Sequence, residues 1–404
     1  MKKLGFVVPW YGEKIPGGAE MELRGLTSHL HQAGVELEIL TTCVKEFASD
    51  WNINYYKAGA ENIQGIPVRR FRVRLRDARC FDAVNKKLMS GLPVTPEEEE
   101  TYIRESVNSP ALYDYMRQHQ DEYALFIFIP YMFGTTYYGS QVCPEKSVLI
   151  PCFHDESYFY MNIYREAYSK IRGIIYHAQP EYDLTNRNYS MEKVEQAVLG
   201  EGVDTELTCD GERGRTAYAL DAPYLLYAGR KDRGKNVHTL LNYFAEYKKR
   251  QDSPLKLVLI GGGEIQIPKS IQEDVRDLGF LSIQDKYDVE AGALALCQPS
   301  RNESFSLVIM ESWLCGRPVL VHGECPVTRH FAVEASGGLY FGNYFEFEGA
   351  VRYLEQHPAT ADAMGQSGRQ FVLQNFAWDH IVQVYMDFFR KLAGEAAASG
   401  KEEA

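Results

Sequence analysis

An alternation, repeated twice along the chain, restricts the fold more than any other feature of this sequence. Short apolar runs suited to strands give way each time to segments with helical periodicity. "LGFVVP" is continuously apolar, as a strand covered on both faces of a parallel sheet must be. The glycine-containing "WYGEKIPGG" follows, then a helix expected from about Ala19 to Ala33 with Leu23, Leu26 and Leu30 on one face, stopped by Gly34. "VELEILTT" is the next strand, and further strands are expected at 124–130, 147–154 and 173–178. The pattern breaks at the polar, glycine-rich 199–223, where a domain boundary is expected. It resumes with "YLLYAG", the helical "KNVHTLLNYFAEYKKR", then "LKLVLIGGG", "GALALCQP" and "RPVLVHG". Strands that alternate with helices specify doubly wound parallel sheets. A chain of 404 residues accommodates two such α/β domains facing a cleft. "WDHIVQVYMDFFRKL" near the end is an amphipathic helix, and 394–404 is expected to be a disordered tail.

Composition narrows the function. The formal net charge of −12 argues against general nucleic-acid binding. No apolar run approaches the ~20 residues of a membrane helix, and the N-terminus lacks a small-residue cleavage pattern, so a cytoplasmic protein is expected. The eight cysteines are scattered without a close C-x-x-C pair, which argues against a zinc site and a disulfide framework. One segment runs against the acidic balance. In "VRRFRVRLRDARCFDAVNKK" (68–87), Arg70, Arg72, Arg74 and Arg76 alternate with Phe71, Val73 and Leu75, the period of a half-buried strand with one basic face. Such a face is either simply solvated or a surface for an anionic acceptor or an anionic membrane.

Ligands of open parallel sheets lie beyond the carboxyl ends of the strands, and three segments occupy that position. In "IPGGAE", Gly17 and Gly18 precede the first helix, whose free N–H groups favour anions. This is not a dinucleotide fingerprint, because no G-x-G-x-x-G follows a strand. In "YAGRKDRGKN", Arg230, Lys231, Arg233 and Lys235 face only Asp232, a grouping suited to a diphosphate unless it is a solvated basic loop. In "RNESFSLVIMESWLCGRPVLV", a helix is expected to start near Ser304–Ser306 and end at Gly316. It would place Glu311 two turns after Ser304, in position to accept from a ribose diol, with Glu303 at the loop tip. Without a polar ligand, a buried Glu311 would cost several kcal/mol unless it had an internal cation.

Together these segments resemble glycosyltransferase family 4, the retaining glycosyltransferases with the GT-B fold. The motifs in order are "GGAE", "GEGVD" (200–204), "AGRKDRGKN", Glu303 to Glu311 as E-x-F-x-x-x-x-x-E, "GRPVLV" and "FAWDHIVQVY". The resemblance implies two Rossmann-like domains, 1–200 on the acceptor side, joined by the C-terminal helix at about 379–393, and 201–378 for the donor. It implies transfer of a sugar from a UDP- or GDP-sugar to a glycan or lipid-linked acceptor, as in polysaccharide assembly, without cofactor or metal. Gly17 and Gly18 would lie against the diphosphate, Arg230 and Lys235 would neutralise it, Glu303 would bind the sugar and Glu311 the ribose. Gly262, Phe280, Leu281, Ser304, Phe305, Ser306 and Leu307 would line the donor. His154, in "IPCFHDES", would stand near the reacting carbon, unless it is a hydrogen-bonded structural histidine. Ser306 departs from the family's usual glycine, and 55–110 match nothing in it, which leaves the acceptor open. A nucleotide-sugar epimerase on the same fold and a non-catalytic sugar-nucleotide binder are the rival readings.

Overall fold

The computed structural model of the protein describes residues 1–15 and 17–394, so the expected tail lies almost wholly outside the described residues. The chain divides into two compact units, Met1–Gly202 with the segment from Asp379, and Val203–Trp378.

The first unit is built on eight strands: β1 (Lys3–Val8), β2 (Leu37–Thr42), β3 (Gly59–Ile63), β4 (Ile66–Phe71), β5 (Tyr123–Phe128), β6 (Ser147–Leu149), β7 (Gly173–Tyr176) and β8 (Glu195–Val198). Their order is β3-β4-β2-β1-β5-β6-β7-β8. Every neighbouring pair is parallel except β3 with β4. β1 is central and buried from Leu4 to Val8, which accounts for its unbroken apolar run. The helix Gly18–Gln32 buries Leu23, Leu26 and Leu30 as its periodicity predicts, and also Glu22 and Thr27.

Two expectations are corrected here. The strand expected over 147–154 stops at Leu149, because Pro151 has no N–H for a ladder and Cys152 adopts φ 56°. The basic strand face does not form. β4 ends at Phe71 and lies between β2 and β3, so tertiary partners claim the arginines that alternation assigned to solvent. Arg70 is buried, paired with Glu61 and stacked over Tyr56 at 3.9 Å. Arg74 pairs with Glu105 at 2.7 Å, and Arg76 lies over Trp51 at 4.5 Å. Of the four, Arg72 alone is exposed, whereas Leu75, expected on the covered side, is 74% exposed.

The second unit carries β9 (Tyr224–Ala228), β10 (Lys256–Ile260), β11 (Val275–Gly279), β12 (Ala295–Gln298), β13 (Val319–His322) and β14 (Gly338–Phe341). They form an all-parallel sheet ordered β11-β10-β9-β12-β13-β14. The polar segment before β9 is more than a linker. It contains the helix Gly211–Tyr218, capped by Asp210 and packed on the helix Ile283–Gly292. A Cβ at Gly214 would come within 2.5 Å of the Asp288 backbone, so glycine there serves close approach. Arg213 clamps Asp288 with bonds of 2.5 and 2.6 Å.

The last described helix, Trp378–Leu392, buries Ile381, Tyr385, Met386, Phe388, Phe389 and Leu392. Its Tyr385 hydroxyl donates to the Gly200 carbonyl at 2.9 Å, and its Leu392 carbonyl accepts from Arg172 at 3.1 Å. No helix among the described residues is long and apolar enough to cross a membrane.

Candidate functional site

In the second unit, loops beyond the carboxyl ends of β9, β10, β11 and β12 gather the residues singled out in the sequence. After β9, the Asp232 carboxylate accepts the Lys235 backbone N–H at 2.9 Å and shapes the turn. Asn236, at φ 58°, enters the helix Val237–Arg250, and its side chain donates to the Pro299 carbonyl at 2.9 Å. That bond ties the β9 loop to the β12 loop. Across it, the Lys235 ammonium stands 2.7 Å from a Glu303 carboxylate oxygen. Arg230 is exposed and only loosely held by Asp232 at 3.6 Å.

The basic run is not a single cationic surface. Lys231 turns inward and pairs with Asp277 at 2.6 and 2.8 Å. Gly262, after β10, lies against the ring of Phe280, which is 83% exposed at the end of β11 with Leu281 beside it.

The helix carrying Glu311 is shorter than expected. It spans Leu307–Leu314, and Ser304 and Phe305 precede it in the loop. Ser306 caps it at φ 80°, the left-handed conformation that glycine adopts without strain. Its buried hydroxyl has no hydrogen-bond partner among the described residues. Phe305 is buried, edge-on to Phe331 and Phe376 at 5.4 and 4.9 Å. Glu311 therefore sits in the second turn of a two-turn helix, not two turns beyond a helical Ser304. It has the internal cation that was the alternative to a ribose contact: Lys286 donates to its Oε2 at 2.5 Å. Glu290 is buried beside this pair and accepts from the Cys315 thiol at 3.6 Å. Burial pushes the Glu290 carboxyl up to about 8, against the pull of Lys286 and helped by Glu311. Lys286 and Glu290 left no trace in the sequence, since neither belongs to a motif or a strand end.

Gly17, Gly18 and His154 belong to the first unit. Gly17 has φ 139°, and a Cβ there would meet a Glu20 carboxylate oxygen at 2.0 Å. Glu20 folds back to accept from the Trp10 indole N–H at 2.6 Å. Gly18 opens the helix Gly18–Gln32, with nothing within 4 Å of where its Cβ would be. His154, in the loop after β6, is a quarter exposed, its Nδ1 3.5 Å from Glu156. Glu156 is steadied by the Tyr131 hydroxyl at 3.1 Å. The strand-then-histidine signal that picks out His154 recurs in "GIIYHA", where His177 follows β7 directly. His177 is buried, and its Nε2 lies 2.6 Å from a Glu22 oxygen.

Residues 211–371 match the family model of glycosyl transferases group 1. The matched residues lie wholly within the second unit. Among curated proteins, this chain is similar to alpha-maltose-1-phosphate synthase of Mycobacterium tuberculosis. The two are 26% identical over 221 residues, 48% of this chain and 56% of that protein, so the match spans about half the length of the relative. Among solved structures, sucrose-phosphate synthase from Thermosynechococcus elongatus superposes with a TM-score of 0.70 at 17% identity, covering 98% of this chain and 100% of that one. HepE of Anabaena in complex with UDP-glucose gives 0.66 at 16% identity over 97% and 100% of the two chains. The fold is GT-B, two parallel-sheet α/β domains.

Proposed function

We propose that this chain is a group 1 glycosyltransferase that transfers a glycosyl residue from a nucleoside diphosphate sugar to a hydroxyl of a glycan or lipid-linked acceptor, with retention at the anomeric carbon and no catalytic metal. The observation that carries the reading is the Lys235–Glu303 pair, 2.7 Å apart on the loops after β9 and β12. A diphosphate draws Lys235 and the exposed Arg230 onto its oxygens, and a donor sugar replaces Lys235 with its own hydroxyls on Glu303. The partnerless Ser306 hydroxyl supports a polar ligand at the same loop. Glu311 meets Lys286 through Oε2, and a carboxylate has lone pairs enough to accept a ribose hydroxyl as well. Charge grows on the diphosphate as the glycosidic bond breaks. Cations already in place then stabilise the transition state more than the ground state. On the first domain, the reading assigns His154 to the reacting carbon.

The UDP-glucose bound by HepE makes uridine nucleotides the first to try. Thermal-shift measurements with UDP, GDP, ADP and their glucose conjugates test the donor site. A ligand at 100 times its Kd stabilises the fold by ~2.7 kcal/mol. NMR of the product then reads the anomeric configuration. No shift with any nucleotide refutes the reading. Sugar conversion without an acceptor would make the protein an epimerase, and an inverted product would remove the retaining step.

A further inference from the structure

We infer that the first domain holds a structural transition-metal site, of the kind that takes Zn²⁺, formed by Glu22, Cys152 and His177. The three come from the helix Gly18–Gln32, the loop after β6 and the residue after β7. One ligand atom from each lies within 4.8 Å of the others. Zinc bonds of ~2.0–2.3 Å in a tetrahedron set neighbouring ligand atoms roughly 3.3–3.8 Å apart. Cys152 Sγ and Glu22 Oε2 are 3.7 Å apart. His177 Nε2 and Glu22 Oε1, at 2.6 Å, have hydrogen-bond spacing and need to open by under ~1 Å to admit a metal between them.

Charge points the same way. Glu22, Glu181 and Glu201 are all buried, and these three carboxylates are the charges that bear most on His177 and Cys152. A cation placed among buried carboxylates offsets the cost of ionising them. Thiolate, imidazole and carboxylate together suit zinc better than magnesium or calcium.

The surroundings are built to hold these ligands. Glu181 accepts the backbone N–H of Phe153 at 2.7 Å and of His177 at 2.8 Å, fixing both ligand-bearing segments with one carboxylate. Cys152 keeps φ 56°, a left-handed conformation that a non-glycine residue holds only where its surroundings enforce it. Spacing rules for zinc miss the set because Glu22 lies 130 residues from Cys152 and 155 from His177. Three protein ligands leave a fourth position to water. The ion would pin the first helix to the loop that carries His154, two residues after Cys152. This inference is independent of the donor reading.

The test uses the full chain, treated with chelator and titrated with ZnCl₂ by calorimetry, with CoCl₂ as the spectroscopic probe. One zinc per chain is expected. Cobalt should show a thiolate charge-transfer band in the near ultraviolet and tetrahedral d–d bands in the visible. Cys152→Ser should abolish the charge-transfer band and weaken zinc binding by ~100-fold or more, since even outer partners of a metal site are worth roughly 10–100-fold. His177→Gln should weaken it similarly, whereas Cys80→Ser, at an exposed thiol outside the cluster, should change nothing. Should His177→Gln fail to fold, the wild-type cobalt spectrum and Cys152→Ser decide the matter alone. Absence of the charge-transfer band in the wild type, or equal zinc affinity in the wild type and Cys152→Ser, overturns the site.

Discussion

A cation and a carboxylate 2.7 Å apart, Lys235 and Glu303, are the smallest unit on which the proposed chemistry rests. Lys235→Ala should lower turnover roughly 100- to 1000-fold, the range for removing one preorganised charge-stabilising group. Calorimetry should show donor affinity little altered, and a raised KM with turnover intact would reduce Lys235 to a docking group. The two glutamates should fail differently. Glu311→Gln should weaken UDP and UDP-sugar alike by ~1–3 kcal/mol, as for hydrogen bonds to a charged group. Glu303→Gln should leave free UDP nearly unaffected while turnover falls. Equal losses of UDP affinity in the two variants would end that division of labour. Glu290 sets a pH dependence. Burial pushes its carboxyl up to about 8 in the folded protein, from an ordinary value of 4.5. Between these values the folded state keeps a proton that the unfolded state has lost, so Glu290 makes stability fall as pH rises through that window. Urea midpoints at pH 5 and pH 8 should converge in Glu290→Gln relative to the wild type. An identical pH slope in both proteins would show that Glu290 is not the group responsible.

At the scale of elements, the arginine segment shows where a pattern stops being informative. Alternation at Arg70–Arg76 matched a strand face, but pairing with Glu61 and Glu105 and stacking on Trp51 overrode it. Glu105 is the anchor: it accepts from Arg74 at 2.7 Å, Arg104 at 2.9 Å and the Asp77 backbone at 2.9 Å. Glu105→Gln should therefore destabilise the protein by ~1–3 kcal/mol, and Arg72→Ala, at an exposed side chain, by less than ~0.5 kcal/mol. Thermal melts of the two variants check this, and a reversed ranking would mean the segment is held by something else. What could be read from sequence was local. β1, β5, β9 and β10 announced themselves because a strand covered on both faces is read from a nearly continuous apolar run. The short or polar strands β3, β8, β11 and β14 did not, since residues such as those of "GAENI" carry no core signal. Lys235 and Glu303 were legible because each sits in a loop directly beyond a strand. The Lys286–Glu311 and Glu22–His177 pairs were not, because partners 25 and 155 residues apart meet only through the fold.

At the scale of the whole molecule, the chain leaves the first unit once and returns once. The two passages run together at the second unit's border: the Val203 N–H donates to the Phe376 carbonyl at 2.8 Å, and Val203 bridges Ala377. Residues 203–378 expressed alone should fold cooperatively and keep UDP affinity, because their ends are already joined. Residues 1–202 alone should not, because they lack the helix that buries Tyr385 and Phe389. Calorimetric melts of the two pieces test this, and a cooperative transition in 1–202 would refute it. Chain entry and exit at one point have a consequence for inheritance. On the proposed reading, a recombination event with breakpoints at those neighbouring passages exchanges the donor-binding unit as a cassette, so donor preference can be replaced by shuffling while the first unit keeps its own sequence.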